Sequence, residues 1–236
     1  MASVVVERRA ESVEAVATAL ESWAPTIGAE MQRLLAPHLR EGESFDDPGV
    51  WPLLLARHLR ASLPPLQVAD TAHEAEQGDD ALPRDARDVA QEALYRVMLR
   101  GRERLRGAFG SEAVARMGQA GTTPREGAAL AAQAGQLLTA LSQPSLPPLL
   151  DARDAHVVPG VREDVTAALS ALRAAQAEVT REARELTAAS ALRNTELARH
   201  DRVFTQVAGL GAAMLRVADQ DALADRLRPS LRRRGL

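Results

Sequence analysis

The polar residues best placed to do chemistry lie close together near the end of the chain: Arg193, Glu196 and His200. Residues three or four apart share a helix face, so Glu196 and His200 lie one turn apart, with Arg193 one turn further back. A carboxylate beside an imidazole raises the pKa of the imidazole and suits it to acid–base catalysis. The pattern is also typical of a salt-bridged helix surface, or of a polar layer that fixes the register of a bundle. These residues form a candidate functional cluster without an assigned catalytic role.

A run of arginines in the middle of the chain is the second candidate site. Arg96, Arg100 and Arg104 lie along one stripe of a predicted helix, and Arg106 follows within the next turn. Guanidinium groups in this arrangement suit phosphates or the acidic face of a protein partner. Acidic segments elsewhere in the chain offer internal neutralisation instead, and no aromatic side chain alternates with the arginines, as stacking on single strands requires. A further arginine run, residues 226–234, lies near the C-terminus.

Motifs for metals, cofactors and nucleophilic catalysis are absent from the sequence. The five histidines have no mutual ligand spacing, and a single Asp70-x-x-His73 falls short of the paired Glu-x-x-His motifs of di-iron bundles. The chain has no cysteine, which excludes disulfides, thiol catalysis and thiolate metal sites. Phosphate-binding loops and nucleophile elbows are also missing. We expect no catalytic residue, no metal and no cofactor, and therefore a non-enzymatic protein.

The composition of the 236 residues favours closely packed helices. With two Trp, one Tyr and three Phe, the core must consist mainly of Leu, Val and Ala, and no convincing strand pattern is present. All 29 basic residues are arginine, as a GC-rich genome favours, and the net charge of −3 argues against general coating of nucleic acid. The N-terminus lacks the apolar run of a secretory signal, and no stretch is long and apolar enough for a membrane span. We expect a cytoplasmic protein.

Similar segments recur along the chain at a constant spacing. Val13, Val89 and Val165 are separated by 76 residues in both steps, and the residues around them align. The pentad Ser-Leu-Pro-Pro-Leu occurs at 62–66 and again at 145–149. Accidental matches are common in an Ala- and Leu-rich chain, but paired consecutive prolines are not. The pattern predicts three divergent helical repeats. They cover residues 1–80, 81–156 and 157–236, the last with a long heptad-patterned helix.

Apolar periodicity predicts the individual helices. They are expected at about residues 7–38, 48–62, 84–117, 124–143, 161–218 and 220–228. Pro25 predicts a kink or break in the first helix, and residues 107–110 are a weak point in the third. The Pro-rich segments 64–82 and 144–160 read as linkers, although the first could be partly helical. Trp23 and Trp51 are expected to be core anchors.

The helix predicted at 161–218 carries a sustained heptad pattern, which is typical of a coiled coil. We call the apolar stripe along which such a helix meets its partner the seam. Its seam positions are Val165, Leu169, Leu172, Gln176, Val179, Ala183, Leu186, Ser190, Arg193, Leu197, His200, Phe204, Val207, Gly211 and Met214. The seam weakens between Ser190 and Arg193, where a bend is plausible. Such a helix needs a partner along its length, supplied by the other helices or by a second subunit.

These patterns predict an all-α protein, an elongated antiparallel helical bundle of three repeats, each a long helix followed by a shorter one. Repeat proteins of this kind mostly offer surface rather than catalysis. We therefore expect a helical scaffold or protein–protein interaction module whose partner is another protein, or a second copy of the chain in a homodimer. The alternative is an arginine-mediated binder of nucleic acid or another polyanion, and the least favoured is a bundle enzyme that uses the cluster around Glu196 and His200.

Overall fold

The computed structural model describes residues 3–44, 46–79, 81–144 and 146–227. It is 86% helical and has no strand among these residues, which confirms the all-α class. The α-helices are α1 (Val4–Leu35), α2 (Val50–Ala61), α3 (Leu63–Asp79), α4 (Ala81–Phe109), α5 (Ser111–Val114), α6 (Gly127–Leu141), α7 (Val157–Val217) and α8 (Asp221–Leu227). None of the helices in this part of the chain is long and apolar enough to cross a membrane, and the compartment stays a prediction.

The chain divides into two compact units. Unit 1 comprises residues 1–75 and 186–236, and unit 2 comprises residues 76–185. The helix α7 belongs to both, because its residues 157–185 lie in unit 2 and the rest in unit 1. The predicted repeat boundaries concern common ancestry, which this division does not test.

Unit 1 is built around the apolar stripe of α1. Val13, Leu20 and Ile27 recur at helical spacing and are fully buried, as the periodicity predicts. They belong to one core with Leu59 of α2 and Leu215 of α7. Trp23, expected in the core, is partly buried and packs against it.

Helices α1 and α2 approach very closely where two glycines meet. A Cβ added to Gly28 would lie 2.7 Å from the backbone nitrogen of Gly49. Only glycine allows backbones to approach this closely, so this pair sets how α2 packs on α1.

Unit 2 packs α4 and α6 against the first half of α7. Leu94 and Leu105 of α4, Leu130 and Leu137 of α6, and Leu172 of α7 are fully buried in one core. The third predicted helix, expected to reach about residue 117, ends at its predicted weak point instead. α4 stops at Phe109, and Gly110 adopts a φ of 80° that residues with side chains rarely adopt.

The long helix predicted near the C-terminus is confirmed, and it continues through the weak point at Ser190–Arg193. Its seam positions Val165, Leu169 and Leu172 are buried in unit 2, and Val207 is buried in unit 1. The seam side chains between these two groups are mostly half-buried, and Ala183 is exposed. At both ends the seam therefore faces the cores of the same chain.

The linker predicted at 64–82 is wrong, because most of it forms α3. Pro64 and Pro65 lie in the first turn of that helix, where a missing N–H removes no helical hydrogen bond. Leu66 and Ala69 lie one turn apart and are buried, so packing stabilises the segment as a helix. The second Ser-Leu-Pro-Pro-Leu pentad is not helical at 146–149, and its Ser145 lies outside the described residues.

Two further expectations from single residues are corrected. The helix α1 continues through Pro25, so of the kink or break expected there the break does not occur, because buried Ala24 and Ile27 hold the helix on either side of the exposed proline. Trp51 is not a core anchor, since 57% of it is exposed. The buried face of α2 consists of Pro52, Ala56 and Leu59 instead.

Candidate functional site

The structure brings the first Ser-Leu-Pro-Pro-Leu pentad into contact with the polar cluster of α7. Ser62 lies between α2 and α3, and its Oγ is 2.8 Å from Nδ1 of His200. The same hydroxyl donates to the carbonyl of Leu59, at 2.6 Å. Because its single proton is used there, Ser62 accepts the bond from His200, which places a proton on Nδ1. His200 is 1% exposed, and this burial lowers its pKa, so the ring is neutral near neutral pH.

Arg193 makes a separate contact with α3. Its Nε donates to Oδ1 of Asp70 at 2.6 Å, and Asp70 is fully buried. The other carboxylate oxygen accepts from the backbone nitrogen of Ser3 at 2.6 Å. Burial alone would raise the pKa of Asp70, but the hydrogen bonds from Ser3 and Arg193 outweigh it and hold the pKa below its usual value. This ion pair ties the start of α1 and the middle of α3 to α7.

Glu196, the third residue of the predicted cluster, lies apart from these contacts. Its carboxylate is 3.5 Å from the guanidinium of Arg199 on the same helix. The structure therefore pairs His200 with a serine and Arg193 with an aspartate of α3, and it pairs Glu196 with a neighbouring arginine. Arg193 and His200 therefore form a polar layer that joins α7 to Asp70 of α3 and to Ser62 just before it.

An apolar groove lies beside this polar layer, between α3 and α7 in unit 1. It has a volume of about 430 Å³ and is open to solvent. Its lining residues are Pro64, Pro65, Val68, Ala69, Leu192 and Glu196. Val68 is 70% exposed and Leu192 is 52% exposed, so large apolar side chains project into water from two helices that the polar layer fixes together.

The predicted arginine stripe lies on α4 in unit 2, and most of it faces acidic side chains. Three of its members form ion pairs of 2.8 to 3.0 Å. These pairs are Arg96 with Glu92, Arg104 with Asp164, and Arg106 with Glu103. All three are largely exposed, and such pairs contribute only ~0–1 kcal/mol to stability.

The fourth member, Arg100, is exposed and has no acidic partner among the described residues. It lines a half-open cleft of about 380 Å³ together with Val97, Arg104, Asp164, Ala167 and Ala168. The C-terminal arginine run lies outside the described residues, apart from Arg226.

Sequence reasoning missed an acidic cluster in unit 2. Carboxylate oxygens of Glu76, Glu182 and Glu185 lie within 4.8 Å of one another. Arg181 lies among them, with nitrogen–oxygen distances of 2.7 Å to Glu182 and 3.1 Å to Glu185. Burial raises the pKa of Glu182. The spacing of the two α7 residues was visible in the sequence, but the approach of Glu76 depends on how α3 packs.

No protein-family model matches this chain, and neither a curated protein nor a solved structure matches it significantly.

Proposed function

We propose that this chain is a non-enzymatic helical scaffold, or protein–protein interaction module, that binds a partner protein in the groove between α3 and α7. The observation that carries the proposal is the exposure of Val68 and Leu192 on either side of Pro64 and Pro65. Clustered exposed apolar side chains on a rigid surface are typical of protein-binding sites. The Asp70–Arg193 and Ser62–His200 contacts support it, because they keep the two sides of the groove in place before binding.

The chemistry of the groove favours an amphipathic helix of the partner. Two apolar side chains one turn apart would pack against Val68 and Leu192, and a basic side chain would face Glu196 at the rim. A second copy of the chain is one source of such a helix. Since seam positions of α7 are buried in both cores, the groove is the better surface for self-association.

We further propose that the scaffold arose from three divergent repeats, arranged as an antiparallel bundle. The long helices α1, α4 and α7 begin at Val4, Ala81 and Val157, close to the spacing of the sequence repeats. Each is followed by a shorter helix, with α2, α6 and α8 as the counterparts. This succession of long and short helices supports the division at residues 1–80, 81–156 and 157–236.

The test uses two leucines of α7 that differ in position but not in exposure. Leu192 lines the groove and is 52% exposed, while Leu210 lies elsewhere in unit 1 and is 53% exposed. Leu192→Glu should abolish binding of amphipathic helical peptides selected from a display library against the full chain, and Leu210→Glu should not. Equal affinity of both variants for the selected peptides would contradict the groove as the binding site.

Sedimentation of the same variants identifies the occupant. A wild-type dimer that Leu192→Glu dissociates and Leu210→Glu leaves intact would assign the groove to a second copy. A wild-type monomer would exclude a second copy as the occupant.

The second candidate function is binding of nucleic acid or another polyanion through the arginines of α4. The observation that favours it is Arg100, which is exposed in a cleft beside Arg104 and has no acidic partner in the described part of the chain. If Arg100 contacts a phosphate, Arg100→Gln should lower the slope of log affinity against log salt by about 0.7–0.9. Arg173→Gln, at an exposed position of α7, is the control. Absence of binding to heparin and to DNA at low salt would exclude this function.

A further inference from the structure

The connection between α4 and α6 in unit 2 contains buried polar groups that lack protein partners. Gln119 is 1% exposed, and neither its side-chain nitrogen nor its oxygen has a hydrogen-bond partner among the described residues. The hydroxyl of Thr123, a residue 8% exposed, is in the same situation. Burying amide and hydroxyl groups without hydrogen-bond partners is unfavourable. These groups therefore lower the stability with which the segment packs against the rest of unit 2.

The backbone of the same connection departs from regular helix. Residues Ala115–Gln119 form a π-helical turn, a form that is rare and found mostly as single turns. Gly110 precedes the short helix α5 with a φ of 80°, and Gly118 interrupts the turn with a φ of 79°. Two glycines in the left-handed region therefore lie at and within the segment, at points where its direction changes.

Apolar and polar contacts hold this segment on unit 2. Ala113, Val114 and Met117 are buried in its core, and the turn that contains Met117 packs against α6. The guanidinium of Arg125 lies 4.8 Å from the centre of the Tyr95 ring. The guanidinium of Arg102 donates to the carbonyl of Gly121. Nε2 of Gln91 donates to the carbonyl of Arg125 at 2.7 Å. Both polar contacts are on the surface and end on the segment's backbone.

We propose that residues 110–126 form a hinged cover that opens locally from unit 2 and uncovers the face of α6 beneath it. Opening lets water pair with the side chains of Gln119 and Thr123, which offsets part of the loss of packing by Val114 and Met117. The cover is a conformational device within unit 2 and does not depend on the groove of unit 1.

Hydrogen–deuterium exchange of the full chain tests the cover. Amides of residues 111–123 should exchange faster than those in the middle of α4 and α6. Gln119→Met replaces the buried carboxamide by an apolar side chain of similar length and should slow exchange in this segment about tenfold. Gln143→Met, at an exposed position after the end of α6, is the control and should leave the segment unchanged.

Proteolysis and a glycine variant test the same local opening. Trypsin should cut after Arg116 in the wild-type chain, more slowly in Gln119→Met. Gly118→Ala should speed exchange of the segment roughly five- to thirty-fold, because alanine is strained at the φ of 79°. The proposal is overturned if Gln119→Met leaves exchange and cleavage unchanged or makes them faster, since the unpaired carboxamide would then not destabilise the closed segment.

Discussion

Ser62 and His200 are 138 positions apart in the chain, yet Oγ of the serine lies 2.8 Å from Nδ1 of the histidine. The contact joins the start of α3 to α7 beside the groove, and together with the Asp70–Arg193 pair it fixes the register of α3 against α7. Changes to either polar pair should therefore alter the free energy of unfolding.

The burial of His200 predicts that unit 1 loses stability in mild acid. Burial lowers the pKa of His200 in the folded chain, whereas the unfolded chain binds the proton near the ordinary value of 6.5. The contribution of neutral His200 is therefore fully present above pH 6.5 and falls as the pH drops below it. Urea unfolding of the wild type at pH 8, 7, 6 and 5 measures how the free energy of unfolding changes with pH.

His200→Asn isolates this effect, because the asparagine amide mimics the Nδ1 donor but does not titrate in this range. The variant should be less stable at pH 8, owing to lost volume, and should lose less stability than the wild type between pH 7 and 5. If the free energy of unfolding changed with pH in the same way for both proteins, His200 would not be the group responsible for the loss of stability in acid.

The buried ion pair should matter far more than an exposed one. Asp70→Ala removes a fully buried carboxylate and leaves Arg193 without its partner, which should lower the free energy of unfolding by about 3–5 kcal/mol. Asp201→Ala removes a carboxylate that is 52% exposed and paired with Arg9, and should cost only about 0–1 kcal/mol. Chemical denaturation at pH 7 compares them, and similar losses would contradict the assignment of Asp70 as a buried tether.

Two leucines of α2 test which face of that helix is in the core. Leu59 is fully buried and Leu54 is 53% exposed. Leu59→Ala should lower the free energy of unfolding by about 2–5 kcal/mol, since it leaves a cavity. Leu54→Ala should change it by less than about 0.5 kcal/mol, as is usual for surface positions. Thermal unfolding of both variants distinguishes this packing from one in which α2 is rotated toward Trp51.

Glycine-to-alanine changes should have opposite signs at two helical positions of unit 1. Gly28→Ala places a methyl group 2.7 Å from the backbone of Gly49, so α1 and α2 must separate, at a cost of about 1–3 kcal/mol. Gly209→Ala meets no atom within 4 Å in the described chain and should stabilise α7 by about 0.5–1 kcal/mol. A stabilised Gly28→Ala variant would rule out the close approach of the two helices.

The helices could largely be predicted from the sequence, because the spacing of apolar residues along a helix is a local property. The long α7 follows from a continuous heptad pattern with no proline between Val161 and Val217. The end of α4 falls at the weak point beside Gly110, although the apolar pattern alone extends that helix to about residue 117. The linker error at α3 arose because Pro64 and Pro65 are compatible with both a loop and the first turn of a helix. Burial of Leu66 and Ala69 favours the helix, and burial depends on the partners.

The candidate site needed the three-dimensional structure. Periodicity placed Arg193, Glu196 and His200 near one another on α7, but it could not show that Asp70, 123 positions from Arg193, and Ser62 would meet two of them. Likewise, Trp51 and Leu59 are both apolar residues of α2, and only the packing of α1 leaves the first exposed and the second buried. Residue types and spacing determine which helices form. Contacts between residues distant in the chain depend on how those helices pack, because burial and pairing are properties of the assembled core.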